Sequence, residues 1–172
     1  MADEIHITET EKERVYEEIL PQIRSLLEGE TDAVANMANV TAALKMAFPA
    51  FSWVGFYLFD GAELILGPFQ GKPACVRIAP GRGVCGTAFD KREPVIVQNV
   101  HTFPGHIACD AGSLSEIVVP LLDTHTCHGV LDVDSYETGS FDDVDEKHLT
   151  SVASMIVPYL RKDEAHGNKA GA

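Results

Sequence analysis

The sequence predicts an α+β fold, a central antiparallel sheet of about six strands with N- and C-terminal helices packed on it. Three observations predict it. Apolar residues recur at helical spacing near both ends of the chain. From residue 51 the period drops to two, with turn residues close enough to make hairpins. The 172 residues are 45% hydrophobic, enough apolar surface for one core.

The elements follow in order. Val15, Ile19, Ile23, Leu26 and Leu27 make a helical stripe, with Pro21 expected to kink or interrupt it. Gly29 suits the stop. Thr31 or Asp32 caps a second helix carrying Met37, Val40, Leu44 and Ala47, which ends before Pro49. Residues 51–58 read as a strand, Asp60-Gly61 as a turn and residues 63–66 as the returning strand. Short strands are expected near residues 75–78 and 94–98, longer ones at 116–122 and 129–135, and a short helix at 83–90. Residues 99–115 form a long connection rich in His, Gly, Asp and Ser, and a loop of that length inside a compact domain commonly carries function. The last helix starts near residue 140, with Asp142, Asp143 and Asp145 in its first turn, where negative charge suits the helix dipole. Leu149, Val152, Ile156 and Tyr159 supply its apolar stripe, and Pro158 lies near its end. The expected boundaries are a flexible N-terminus at 1–9, one domain at 10–161 and a flexible tail at 162–172.

Charge and composition narrow the function. Lys and Arg number 13 against 26 Asp and Glu, a net charge of -13. Such a surface repels phosphate backbones, so no nucleic-acid partner is expected. No apolar run approaches the roughly 20 residues that cross a bilayer, so no membrane partner is expected either. The polar, acidic N-terminus has neither signal-peptide nor transit character, which makes the cytoplasm the expected compartment. There the four cysteines, Cys75, Cys85, Cys109 and Cys127, are buried thiols, metal ligands or redox groups.

Alternation over residues 129–135 puts Leu131 and Val133 on one face and Val130, Asp132 and Asp134 on the other. Two carboxylates so close either share a solvated face or await a cation, such as a ligand ammonium. Glu116 is placed to be a third acid, and three acids also suit a hard metal ion. The same rule puts Phe51, Trp53, Gly55 and Tyr57 on one face of their strand. That pattern reads either as aromatic core or as a gap between two aromatic walls for a methyl-bearing or cationic group.

The run Gly81-Arg-Gly-Val-Cys-Gly86 has dinucleotide-type glycine spacing, but too few residues follow for the phosphate-facing helix, so it reads as a tight strand-to-helix turn. The cysteines lack zinc-ligand spacing, and His101, His106, His125 and His128 read as loop residues rather than ligands. Cys109 lies in the loop Phe103-Pro-Gly-His-Ile-Ala-Cys-Asp110, where His106 can stabilise its thiolate and Asp110 opposes it.

Taken together, five segments resemble a known family: Gly67-Pro-Phe-Gln-Gly-Lys-Pro-Ala-Cys75, Gly81-Arg-Gly-Val-Cys-Gly86, Phe103-Pro-Gly-His-Ile-Ala-Cys-Asp110, Ser115-Glu-Ile-Val118 and Gly129-Val-Leu-Asp-Val-Asp-Ser135. They look like free methionine-(R)-sulfoxide reductase, a stand-alone GAF domain, and the likeness spans almost the whole chain. The resemblance implies a GAF-like catalytic domain at residues 10–161 that reduces free methionine sulfoxide. It makes Cys109 the nucleophile, Cys75 the resolving cysteine and Cys85 a third cysteine that assists or substitutes in disulfide exchange. Glu116, Asp132 and Asp134 become the substrate-binding acids, and Trp53 and Tyr57 the aromatic wall. One acid, Glu116 or Asp134, is expected to stay protonated and donate to the sulfoxide oxygen, since crowded carboxyls hold a proton more tightly. The implied partners are a thioredoxin-type reductant and a second copy of the chain in a homodimer; no metal and no organic cofactor is implied. Cys127 has no counterpart in the family pattern. The rival reading is a GAF ligand-binding or redox-sensing module without turnover.

Overall fold

The computed structural model describes residues 4–107 and 110–161. Four helices, α1 (Lys12–Leu27), α2 (Ala33–Ala47), α3 (Gly83–Lys91) and α4 (Asp143–Leu160), surround one sheet. The strands are β1 (Phe51–Phe59), β2 (Leu64–Gln70), β3 (Arg77–Ile78), β4 (Val95–Val97), β5 (Ser115–Leu122) and β6 (Cys127–Ser135). Their order is β3-β2-β1-β6-β5-β4, and every neighbouring pair is antiparallel. This is the α+β architecture read from the sequence, with the six strands in one sheet.

The sheet divides the apolar residues into two cores. On one face α1, α2 and α4 bury Ile19, Ile23, Leu44, Val152 and Ile156 against Val54, Phe56, Leu131 and Val133. Side chains of this size each contribute roughly 1.5–3 kcal/mol when fully buried, so this face carries most of the stability. The other face holds a smaller core in which Val84 and Ala88 of α3 meet Tyr57, Leu64, Val118 and Val130. The functional cavity opens in that second layer.

Local chemistry fixes the helix ends. Asp32 caps α2 by accepting from the Ala35 amide, and Asp142 with Asp145 forms a reciprocal capping box on α4. Asp145 is fully buried, where it accepts from the Tyr16 hydroxyl and pairs with Lys12, tying α1 to α4. Gly29 follows α1 at φ 81°, a left-handed conformation that glycine adopts without strain.

Three local expectations are corrected. α1 runs through Pro21 without interruption. A mid-helix proline costs about 3 kcal/mol, and the buried Ile19, Ile23 and Leu27 on either side offset it. The strand expected at 75–78 shortens to Arg77–Ile78: residues 72–74 turn aside to line the cavity, and ahead of the strand the Val76 carbonyl still accepts from the Leu66 amide. His128 is a strand residue of β6, not a loop residue, and its ring lies 2.9 Å from Asp123. In the segment expected to be flexible, the amides of His6, Thr8 and Glu9 donate to Gln22 and Glu18 of α1.

Candidate active site

Strand register builds the site. Asp134 of β6 lies opposite Trp53 on β1 and opposite Glu116 on β5; Asp132, two residues earlier, lies opposite Gly55 and Val118. Directly opposed residues hold their Cβ atoms about 4.5–5.5 Å apart. Glu116, Asp134 and Trp53 therefore form one row across three strands, with Asp132 in the next row. All project from the face that carries the smaller core, into a cavity of about 40 Å³. Roughly 10–15 Å³ holds one water, so there is room for a small charged group.

The third wall comes from α3. Gly86 allows its entry, since a Cβ there would lie 2.4 Å from the Ala79 carbonyl oxygen. The expected strand-to-helix turn is thus observed, and it delivers Cys85 beside the acids. The Cys85 thiol donates to Asp132 Oδ2 at 3.2 Å and lies 4.0 Å from Glu116 Oε1. Asp132 Oδ1, although buried, has no hydrogen-bond partner among the described residues. From the long connection, His106 Nε2 approaches Glu116 Oε2 at 3.5 Å.

Burial dominates the electrostatics. It pushes the Glu116 and Asp132 carboxyls well above the carboxylate range, with Asp134 adding repulsion at Glu116 and Glu116 at Asp132. Asp134 is raised by burial and then by Asp132. The Cys85 thiol is pushed far up by burial and the neighbouring acids, which makes it a proton donor here rather than a thiolate. Burial lowers His106. The acids therefore hold their protons more tightly than ordinary carboxyls, and a cation bound among them would take the place of those protons.

The aromatic wall differs in detail from the alternation rule. Trp53 and Tyr57 do line the cavity, buried and 6.0 Å apart between ring centroids. Phe51, however, points into the other core, because the pairing of β1 with β6 shifts register between Phe51 and Trp53. Nor is the space over Gly55 an open gap: a Cβ there would meet the Trp53 ring at 2.4 Å and Phe69 at 2.5 Å. The glycine lets the indole lie across the strand, and the indole nitrogen donates to the Lys72 carbonyl. The Tyr57 hydroxyl donates to the Cys75 carbonyl at 2.9 Å, and burial keeps that phenol protonated.

Cys75 follows Lys72, Pro73 and Ala74, which line the cavity, and it is disulfide-bonded; Cys85 and Cys127 are free thiols. Cys109 lies outside the described residues. Its sequence neighbour Asp110 lines the cavity, bonded to Lys72, the Tyr136 hydroxyl and the Gly112 amide, and held down to about 2 by those contacts. Cys127 is remote, its thiol turned to the Gly129 carbonyl. Sequence reasoning missed His106 as a partner of Glu116, and Lys72 and Asp110 as a pair. Their positions flanking Cys109 and Cys75 were the only available signal. Cys85, Glu116 and Asp132 hold donor atoms within 4.8 Å of one another, so these three could also take a metal ion.

A six-stranded antiparallel sheet with α1, α2 and α4 on one face, and α3 beside a cavity on the other, is the architecture of a GAF domain, and the GAF domain family model matches residues 13–157. The chain is 54% identical to GAF domain-containing protein A of Dictyostelium discoideum over 157 residues, 91% of this chain and 99% of that one. It is 46% identical to the free methionine-R-sulfoxide reductase of Escherichia coli over 149 residues, 87% of this chain and 90% of that one. The X-ray structure of free methionine-R-sulfoxide reductase from Neisseria meningitidis in complex with its substrate superposes with a TM-score of 0.89 at 48% identity, covering 93% of this chain and 96% of that one. The chain belongs to the GAF domain family, in the branch that holds the free methionine-R-sulfoxide reductases.

Proposed function

We propose that this protein reduces free methionine (R)-sulfoxide to methionine by thiol chemistry. The observation that carries the reading is the convergence of Glu116, Asp132 and Asp134 with Trp53 and Tyr57 in one cavity whose rim leads to the disulfide-bonded Cys75. The acids take the substrate ammonium, and the aromatic wall takes its side chain. A peptide-bound sulfoxide lacks that ammonium and would leave buried acids unpaired, which disfavours it by orders of magnitude.

The Cys109 thiol attacks the sulfoxide, whose oxygen receives a proton from Glu116 or Asp134. The oxygen then passes as hydroxyl from the substrate sulfur to Cys109, whose own thiol proton returns to the acid. The sulfoxide is reduced to the thioether and leaves as methionine, and Cys109 is oxidised to a sulfenic acid. The Cys75 thiol condenses with it, forming a disulfide and releasing water. Two external thiols then reduce the disulfide, and a thioredoxin-type protein is the proposed donor. The disulfide-bonded state of Cys75 supports its assignment as the resolving cysteine. Cys85 holds Asp132 during binding, and its contribution to exchange follows that of the Cys75–Cys109 pair. Cytoplasmic residence and a homodimer complete the proposal; no helix among the described residues is long and apolar enough to cross a membrane.

The test is incubation with racemic free methionine sulfoxide and dithiothreitol. Methionine is expected to reach half of the sulfoxide supplied, and its absence would sink the enzymatic reading.

A further inference from the structure

We propose that the exposed segment around Cys75, centred on Val76, is the docking surface of the reductant, a dithiol protein that presents an apolar patch with acidic flanks and attacks the Cys75 sulfur. The proposal deepens the function proposed above and rests on it for the partner's role. Residues 71–77 set exposed Lys72, Pro73, Val76 and Arg77 around the half-buried, disulfide-bonded Cys75. Among the described residues four large hydrophobic side chains stand exposed: Val34, Met46, Val76 and Tyr136. Val34 and Met46 belong to α2, in the layer across the sheet. Val76 is 62% exposed beside the disulfide, and the Lys72 ammonium lies over the Tyr136 ring, tying that side chain to the same segment. An exposed apolar residue alone means little, but one next to a reactive sulfur gives a partner something to bind.

The backbone holds this surface in place. The Cys75 carbonyl accepts from the Tyr57 hydroxyl and the Val76 carbonyl from the Leu66 amide, so the outward direction of Val76 is set before a partner arrives. Charge selects the partner. The chain carries a net charge of -13, yet residues 64–89 contain Lys72, Arg77 and Arg82 and no Asp or Glu. Lys72 pairs with Asp110 and Arg77 with Asp60 and Glu63, while exposed Arg82 makes no ion pair among the described residues. A thiolate with carboxylates around it is repelled by most of the molecule and meets cations here. The exchange then runs in two steps. The partner's thiolate attacks Cys75 Sγ, the existing S–S bond breaks, and the displaced sulfur leaves as a thiolate and takes up a proton. The partner's second thiolate attacks its own sulfur in the mixed disulfide and frees Cys75, which is protonated in turn. The dithiol is oxidised to a disulfide, and its two electrons and two protons reduce the disulfide of this chain.

The experiment uses the full chain in its disulfide form and needs no sulfoxide. Reduced bacterial thioredoxin or dithiothreitol is added, samples are quenched in acid and alkylated, and intact mass gives the reduced fraction with time. In Val76→Glu the thioredoxin rate is expected to fall about tenfold, and the dithiothreitol rate to stay within about twofold of the parent. Met46→Glu, equally exposed on α2, is expected to leave both rates unchanged. A thioredoxin rate untouched by Val76→Glu, or a fall shared by both reductants or by Met46→Glu, overturns the surface. A thioredoxin whose second active-site cysteine is replaced by serine is expected to stay bonded to Cys75, located by peptide mass; linkage to another cysteine overturns the proposal, and this trap decides should Val76→Glu fail to fold. Size-exclusion chromatography tests the other occupant: a parent dimer that Val76→Glu splits into monomers shows that a second copy covers the face, and overturns docking. Reduction by docked thioredoxin in a chain that makes no methionine from free methionine sulfoxide counts against the reductase reading and leaves the surface supported.

Discussion

The Lys72 ammonium lies 3.0 Å from Asp110 Oδ2, and the same ammonium sits 5.0 Å from the centroid of the Tyr136 ring, whose hydroxyl donates to Asp110. Lys72 is three residues before Cys75, and Asp110 is the residue after Cys109. The pair therefore fastens Lys72, in the segment that leads to the proposed resolving cysteine, to Asp110, the sequence neighbour of the proposed nucleophile. Asp110→Asn removes the charge and weakens both contacts. An exposed ion pair is a weak fastening, so disulfide formation after one equivalent of substrate is expected to slow by about two- to fivefold, with the melting temperature nearly unchanged. Thiol titration against time measures it. An unaltered rate would show that the latch plays no part in bringing the segments together.

The cysteine assignments separate cleanly in single-turnover assays. Cys109→Ser is expected to release no methionine. Cys75→Ser is expected to release about one methionine per site, because sulfenic acid formation needs only the nucleophile, and then to stall with a thioredoxin-type reductant. Full thioredoxin-dependent turnover in Cys75→Ser would show that another cysteine resolves the intermediate. Cys127→Ser is expected to be indistinguishable from the parent, since its thiol faces the Gly129 carbonyl and not the cavity.

The buried acids make stability depend on pH in a definite direction. Burial raises Glu116, Asp132 and Asp134 above their ordinary values of about 4, so above that pH the folded chain holds more protons than the unfolded one. Their contribution is fully present below about pH 4 and is lost as pH rises through the folded values. Asp110 and Asp123 are held low by their partners and act oppositely, favouring the fold above the ordinary range. Comparing Asp132→Asn with the parent cancels those two. The variant is expected to be more stable by about 1–2 kcal/mol at pH about 8 and level with the parent at pH about 4, while binding substrate more weakly. Denaturant melts at the two pH values check it. A variant destabilised equally at both would mean that Asp132 is ionised and paired in the folded chain.

What the sequence revealed follows from which periodicities stay unbroken. Along β6 the pairing with both neighbours is regular from Leu131 to Asp134, so alternation alone separated Leu131 and Val133 from Asp132 and Asp134. Phe51 defeated the same rule because a register shift stands between it and Trp53, and nothing in the residues marks that shift. The convergence of Glu116 on Asp134 depends on strand order, which places β5 beside β6. His106 and Asp110 were legible only as neighbours of Cys109, since loop residues carry no period that aims their side chains. Pro21 misled because local propensity opposes a helix that tertiary burial enforces.

Gly55 offers the sharpest test of the aromatic wall. The Trp53 ring lies across it, and on the opposite side Phe69 Cβ is fixed to the backbone of β2, so an added methyl has nowhere to go. Phe69 cannot yield without moving its strand, so the indole must. Overpacking of this kind costs about 1–3 kcal/mol, and Gly55→Ala is expected to lower stability by that much. Displacing the indole also breaks its hydrogen bond to the Lys72 carbonyl and tilts the wall that faces Asp134. The Michaelis constant is then expected to rise by about tenfold, with the turnover number less affected, because the role proposed for the wall is to hold the substrate and not to move the proton. Trp53 is the sole tryptophan, so the emission spectrum reports the displacement directly. A red-shifted emission with an unchanged Michaelis constant would show that the indole packs the core without touching the substrate.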